Sequence, residues 1–321
     1  MGRTILGDRT LIGLMIAALL MAALGFVLPD WAIFLTTIAV AKAMVVLGLL
    51  ILWRTGLVSF GQALYFGAGG YAAGLAGRYL GLSDAILLVL LGGIVAAVVA
   101  WVIGLLLARY REIFFAMLSL AFSMILYGVL VKTEALGSTD GINIISPTFL
   151  GYAPVGDAQI FAVYLFTILL GLFAAGAVRI YLQSTIGMLA NPIRDNEIRV
   201  EYLGISVRGV IHLKVVIAGG LAGIGGVLTA LAVGHIDPEM AYWTTSGGFV
   251  FVTILAGTGS VAAPFVGSLL FETIRSFAME YAPETWQIVL GSALLATILF
   301  LPNGLWSLLE RRRRPAAPQE A

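Results

Sequence analysis

Asn191-Pro-Ile-Arg-Asp-Asn-Glu-Ile-Arg-Val-Glu-Tyr-Leu-Gly204 is a polar island with long apolar segments on both sides of it. Asn191 has the chemistry of an N-cap, and Pro192 suits the first helical position. Asp195 and Glu197 complement the positive end of a helix dipole, and Gly204 stands where a terminating glycine belongs. Together these signals predict one short helix over about 192–203. Ile193, Ile198, Tyr202 and Leu203 do not fall on a single apolar stripe, and Arg194, Asp195, Glu197, Arg199 and Glu201 surround them. The segment is therefore no membrane span. Two readings follow from the residues: an ordinary solvated loop helix, or a helix held outside a bilayer for another protein to grip.

The rest of the chain supplies the bilayer. Hydrophobic residues make up 60% of the 321 residues and charged residues 11%, against about 45–50% and about 25% in soluble domains. The mean hydropathy is +1.03. This composition defines an all-α polytopic membrane protein. A formal net charge of +1 argues against a nucleic-acid surface. With no cysteine and two histidines, His212 and His235, the chain offers no disulfide, thiolate nucleophile or histidine-rich metal site. The 39 glycines suit close helix packing and interrupted helices in a membrane.

About ten hydrophobic segments are long enough to consider as spans, at approximately 10–28, 31–53, 58–79, 84–108, 113–131, 158–181, 210–233, 243–256, 261–280 and 285–305. The first reads as a retained span, being too long for a signal-peptide core. The third carries Gly61, Gly67, Gly69, Gly70, Gly74 and Gly77 and reads as either straight or broken and re-entrant. The eighth is short and ends in Gly257-Thr-Gly-Ser260, as a half-helix would. Ten crossings from a cytoplasmic N-terminus put Arg54, Arg109, Arg111, Arg179, Arg194, Arg199, Arg208 and the arginines at 311–314 inside. Only Arg78 and Lys132 fall outside. That asymmetry obeys the positive-inside rule and places both termini in the cytoplasm. On this scheme residues 1–310 form the transmembrane domain, with a cytoplasmic loop at 182–209 and an external loop at 132–157. A basic, then Pro/Ala-rich tail follows at 311–321.

No phosphate-binding loop is present, because Gly257-Thr-Gly-Ser-Val-Ala-Ala lacks the lysine and the spacing. ATP-powered transport would need a partner to bind the nucleotide. An ion-coupled secondary carrier would instead need charges inside the membrane, for which the candidates are Lys42, Glu272 and Arg275. Lys42 is expected to face the protein interior or to snorkel, while Glu272 and Arg275, three apart on one helix, are expected to pair near the outer end. No nucleophile, base and orienting group converge as an enzyme would require. Ser59, Gln62 and Tyr65, and likewise Ser119, Ser123 and Tyr127, fall at helical spacing. Each trio either lines a polar path or satisfies itself on the preceding turn. Gly219-x-x-x-Gly223 and Ala222-x-x-x-Gly226 let two backbones approach, either in packing within one subunit or at a subunit interface or pathway-lining face. In the external loop, Ser138, Thr139, Asp140 and Asn143 belong either to a solvated connector or to a surface that docks a soluble partner. His235-Ile-Asp-Pro238 reads as another outer turn.

Several stretches together resemble the permease subunits of branched-chain amino acid ABC importers of the LivM type. They are Gly56-Leu-Val-Ser-Phe-Gly-Gln-Ala-Leu-Tyr-Phe-Gly-Ala-Gly-Gly-Tyr71, Arg111-Glu-Ile-Phe-Phe-Ala-Met-Leu-Ser-Leu-Ala-Phe122, Gly137-Ser-Thr-Asp-Gly141, Arg194-Asp-Asn-Glu-Ile198 with Leu203-Gly-Ile205, and Leu301-Pro-Asn-Gly-Leu305. The resemblance implies a second, LivH-like permease, two cytoplasmic ATPases that hold ATP and Mg, a periplasmic solute-binding protein, and a bacterial inner-membrane location. It implies no cofactor in this chain. It also implies that Arg194, Asp195, Asn196, Glu197, Arg199, Glu201, Tyr202 and Gly204 form a coupling helix on an ATPase, with Glu201 and Gly204 at the Glu and Gly of the EAA-type loop. The chain departs from the family pattern at Lys42, Leu50 and Gln62, which leaves open a cargo of branched-chain amino acid, urea, amide or aromatic acid.

Overall fold

The computed structural model describes residues 9–301 and 304–307. The arginines at 311–314, the tail beyond them, and Pro302 and Asn303 of the last family stretch lie outside the described residues.

The bundle is built from α1 (Arg9–Leu24), α2 (Asp30–Trp53), α3 (Gln62–Leu80), α4 (Ala85–Leu107), α5 (Glu112–Lys132) and α6 (Asp157–Gln183). Three short helices follow, α7 (Thr185–Met188), α8 (Ala190–Asp195) and α9 (Glu197–Tyr202). The bundle is completed by α10 (Val207–Val233), α11 (Trp243–Ala256), α12 (Ala263–Tyr281) and α13 (Trp286–Phe300). The two-residue strands β1 (Ile142–Asn143) and β2 (His235–Ile236) pair antiparallel.

Five of the ten expected segments, α2, α4, α5, α6 and α10, are long and apolar enough by themselves to span a membrane. The others fall short for different reasons. α11 and α13 have 14 and 15 residues, short of the roughly 20 a straight crossing needs. α3 is diluted by glycine, and α12 carries Glu272, Arg275 and Glu280. α3 is one continuous helix, not a broken one, and the non-helical part of the third segment is the stretch 57–61 ahead of it.

Helices of similar hydropathy take different places. α2 and α10 form the centre, with α2 buried along most of its length. α4 and α5 present Leu90, Ile94, Trp101, Phe114 and Met117 outward, which is stable where hydrocarbon, not water, surrounds them. The glycines explain how α10 reaches the centre. A Cβ on Gly69 would strike the backbone of Gly223, and one on Gly223 would strike Ala96 and the Gly92 carbonyl. One on Gly226 would strike the Phe66 carbonyl. The small-residue stripe of α10 is therefore a packing surface within this chain, against α3 and α4.

Side-chain contacts sort the connections to two ends. At one end Arg54 Nε and Nη2 donate to the Thr258 carbonyl at 3.0 and 2.6 Å, just after α11 stops. Arg111 and Gly56 meet the α8–α9 segment there too. At the other end one carboxylate has two duties: Asp84 Oδ1 caps α4 by accepting from the Ile86 and Leu87 amides, and Oδ2 accepts from the Leu150 amide at 2.8 Å. Asn143 Oδ1 lies 2.9 Å from His235 Nδ1 across the β1–β2 pair.

Candidate functional site

The polar island is two helices, not one. α7 runs almost directly into α8, with Leu189 between them at helical angles (φ −69°, ψ −4°). No free helix start exists for Asn191 to cap. Pro192 falls in the first turn of α8, where its missing N–H costs nothing. The chain then breaks at Asn196 (φ −163°, ψ 100°), whose Oδ1 accepts from the Arg199 amide at 3.1 Å and caps α9. At Gly204 φ is +80°, the left-handed turn expected of a terminating glycine. Ser206 then caps α10 through the Gly209 amide.

One face of this double helix holds it to the bundle. Ile193 and Val200 are buried in the same cluster as Leu52, Leu57, Leu107 and Phe115. Arg111 Nη1 donates to the Ala108 and Tyr110 carbonyls, both at 2.8 Å, and its Nε meets Glu197 Oε2 at 2.8 Å. The guanidinium thus ties the α4–α5 turn to the start of α9. The other face is open. Arg194, Asp195, Asn196, Arg199, Glu201, Tyr202 and Gly204 are exposed, and only Glu197 of the eight residues is half-buried. Tyr202 and Leu203 are 86% and 77% exposed beside Ile198, so the free face sets a bare apolar patch among charges, as an interface sets an apolar, aromatic core within a polar rim.

Ser59, Gln62 and Ser119 are drawn together at the entry to α3. Ser59 Oγ accepts from the Gly61 amide, and Ser119 Oγ accepts from the Phe60 amide at 3.1 Å while donating to the Ala116 carbonyl. Ser123 Oγ donates to the Ala241 carbonyl at 2.8 Å. Tyr65 is buried against Gly219, and the Tyr127 ring packs on Tyr242 at 4.7 Å between centroids. Gln62 is fully buried, with neither amide atom partnered among the described residues.

Lys42 stands apart from these groups. Its Nζ meets Glu272 Oε1 at 2.8 Å, and Glu272 Oε2 lies 3.9 Å from Arg275 Nη1. Arg275 in turn sits over the Trp286 ring, 5.6 Å from its centroid. The expected Glu272–Arg275 contact is present, but Glu272 stands midway along α12 and not near its outer end, and its shorter bond is to Lys42, 230 residues away in sequence, a pairing with no local signal. These three side chains line a cavity of about 510 Å³ between α2, α11, α12 and α13. A second buried lysine, Lys214 of α10, donates to Thr55 Oγ1 at 2.7 Å. Among the described residues no group of three His, Asp or Glu side chains could hold a metal ion.

In the loop at 132–157, Ser138, Thr139 and Asp140 form a single 3₁₀ turn. Ser138 Oγ donates to the Val131 carbonyl, while Thr139 and Asp140 are exposed. Asn143 lies in β1, so the turn at His235 is half of a ribbon and not a separate loop.

A helical bundle with lipid-type surfaces on its outer helices and a folded, one-sided polar element at one end defines a polytopic, multi-pass membrane protein. The family described as branched-chain amino acid transport system / permease component matches residues 31–298, and the chain belongs to it. The high-affinity branched-chain amino acid transport system permease protein LivM of Escherichia coli (strain K12) is 25% identical over 319 aligned residues, covering 91% of this chain and 74% of that protein. LivM of Salmonella typhimurium (strain LT2) matches to the same extent. The permease protein BraD of Pseudomonas aeruginosa is 26% identical over 124 residues, 38% of this chain and 40% of its own length. No solved structure matches the chain.

Proposed function

We propose that this permease subunit works in an ATP-driven ABC importer of the bacterial inner membrane, and that its cargo is a branched-chain amino acid or a related small solute. Ten helices, α1 to α6 and α10 to α13, would cross the bilayer from cytoplasmic termini, with 182–209 inside and 132–157 in the periplasm. The partners are a LivH-like permease, two ATPases that hold ATP and Mg, and a solute-binding protein that docks near Ser138, Thr139, Asp140 and Asn143. Family membership favours this reading over an ion-coupled carrier working alone.

The observation that carries the mechanism is the two-sidedness of α8 and α9. Their inner face is pinned by Ile193, Val200 and the Arg111–Glu197 pair, and their outer face offers Arg194, Arg199, Glu201 and Tyr202. A push on the outer face passes through the capped turn at Gly204–Ser206 into α10, which packs on α2, α3, α4 and α6. ATP binding that closes the partner ATPases would thereby shift the bundle between its two openings, a bistable rearrangement driven by differential binding.

Glu201→Lys tests this. The side chain is exposed, so the fold is expected to be unaffected. A reversed charge in an interface is worth several kcal/mol. Uptake per ATP hydrolysed in reconstituted vesicles is expected to fall at least about tenfold, the effect of about 1.4 kcal/mol. Wild-type coupling in this variant would overturn the lever role.

A further inference from the structure

The cavity that holds Lys42, Glu272 and Arg275 has the chemistry of a binding site, and we propose that it is a cargo site for a zwitterionic α-amino acid with an apolar side chain. The proposal rests on the importer reading above and adds the place where this chain would touch its cargo.

Four observations converge. The volume, about 510 Å³, lies within the roughly 300–1,000 Å³ of small-molecule sites. The cavity runs from Lys42, midway along α2, to Glu239 and Gln287, which stand at the β1–β2 end of the bundle. It is thus a vestibule and not a sealed void. Its charges have both signs: Arg275 touches Glu272 only at 3.9 Å, leaving guanidinium donors for a carboxylate, while Glu239 and Glu272 give an acidic wall for an ammonium. Phe249, Phe271, Met279 and Leu290 supply apolar surface between them. Finally, Ser268, one turn before Glu272 and 1% exposed, lines the cavity with an Oγ that has no partner among the described residues. A buried hydroxyl left unpaired in this way is expensive unless a ligand or water completes it. The Lys42–Glu272 pair forms the floor, holding one carboxylate oxygen in place while the other faces Arg275.

The test uses the absence of cysteine from the chain. Ser268→Cys, and separately the rim variant Gln287→Cys, are introduced into the complete importer in proteoliposomes. The rate of modification by a small charged methanethiosulfonate is then measured with and without L-leucine. Protection is expected to saturate and to reach about tenfold at ten times its midpoint concentration, as mass action requires. Leucinol, which lacks the carboxylate, is expected to need at least about tenfold more, and Arg275→Gln to abolish the difference between the two. No protection in either variant up to the solubility of L-leucine, or equal protection by leucinol, overturns the site. So does protection set by lipid composition alone. Leucine uptake is followed on the same vesicles. Uptake without protection removes the site and leaves the importer reading standing, and so does transport of another solute in place of leucine, whereas an assembly that carries no solute with ATP removes the importer reading.

Discussion

Lys42 and Glu272 make a mostly buried pair, 17% and 11% exposed, and the third charge makes their two single substitutions unequal. Lys42→Met leaves Glu272 with Arg275 as a remaining partner at 3.9 Å. Glu272→Gln strands Lys42, whose ammonium bonds to Glu272 and to no other carboxylate among the described residues. Removing one member of a buried pair costs about 3–5 kcal/mol, while replacing both with apolar groups is often neutral. Thermal unfolding of the purified chain in detergent is therefore expected to rank Glu272→Gln as the least stable, Lys42→Met next, and the double Lys42→Met/Glu272→Met close to wild type. Equal losses in both single variants would show that Arg275 is not a substitute partner. The presence of three charges was legible in the sequence, and so was the i,i+3 contact. The stronger bond was not, because partner choice across two distant helices depends on packing that no local pattern encodes. Asn196 was missed as a cap for a related reason: Asn191-Pro192 carries the stronger start signal, but α7 abuts α8 and removes the helix start that signal would serve.

Among elements, α10 is the one whose sequence translated most directly into packing. Its glycines at 219, 223 and 226 meet α3 and α4 at distances that leave no room for a Cβ, and the small-residue spacing alone announced a close contact. The glycines of α3 were harder to read. In a membrane helix glycine serves both breaks and close approach, and here Gly67, Gly69 and Gly74 serve approach, facing Ala241, Gly223 and Ile236 along a continuous helix. The β1–β2 ribbon was not legible at all, since two-residue strands separated by 91 residues leave no period to detect. A methyl group placed at Gly226 would meet the Phe66 carbonyl, a main-chain atom that cannot rotate away. Gly226→Ala is accordingly expected to cost about 1–3 kcal/mol, the usual range for overpacking. Gly209→Ala, where the nearest atom is Ser206 Oγ at 3.5 Å in the first turn of the same helix, is expected to be neutral or slightly stabilising. Fluorescence-detected size exclusion after heating separates the two outcomes, and equal melting of both variants would mean that α10 does not touch α3 as closely as described.

At the scale of the whole molecule, the two-ended grouping of connections and the arginine bias have independent origins yet agree. Arg54, Arg111, Arg194 and Arg199 lie at the end that carries α8 and α9, where Arg54 and Arg111 are tied to Thr258 and Glu197. Lys132 lies by the loop at the opposite end, where Asp84 binds Leu150 and Asn143 meets His235. Insertion bias acts on charges during synthesis, whereas these hydrogen bonds report the finished packing, so neither one dictates the other. If the arginine-rich end is cytoplasmic, Tyr202 and Thr139 must be reachable from opposite sides of the membrane. Both positions are exposed, and the chain has no cysteine to give a background signal, which makes single-cysteine labelling with an impermeant maleimide decisive. Tyr202→Cys is expected to react in inside-out vesicles only and Thr139→Cys in right-side-out cells only. Assembly with ATPases should then slow labelling of the Tyr202→Cys variant and leave that of Thr139→Cys unchanged, because a docked partner occludes one end alone. Labelling of both positions from the same side would reverse the fate of α8 and α9: a periplasmic segment cannot meet a cytoplasmic ATPase, and the lever would have to be sought at the β1–β2 end instead.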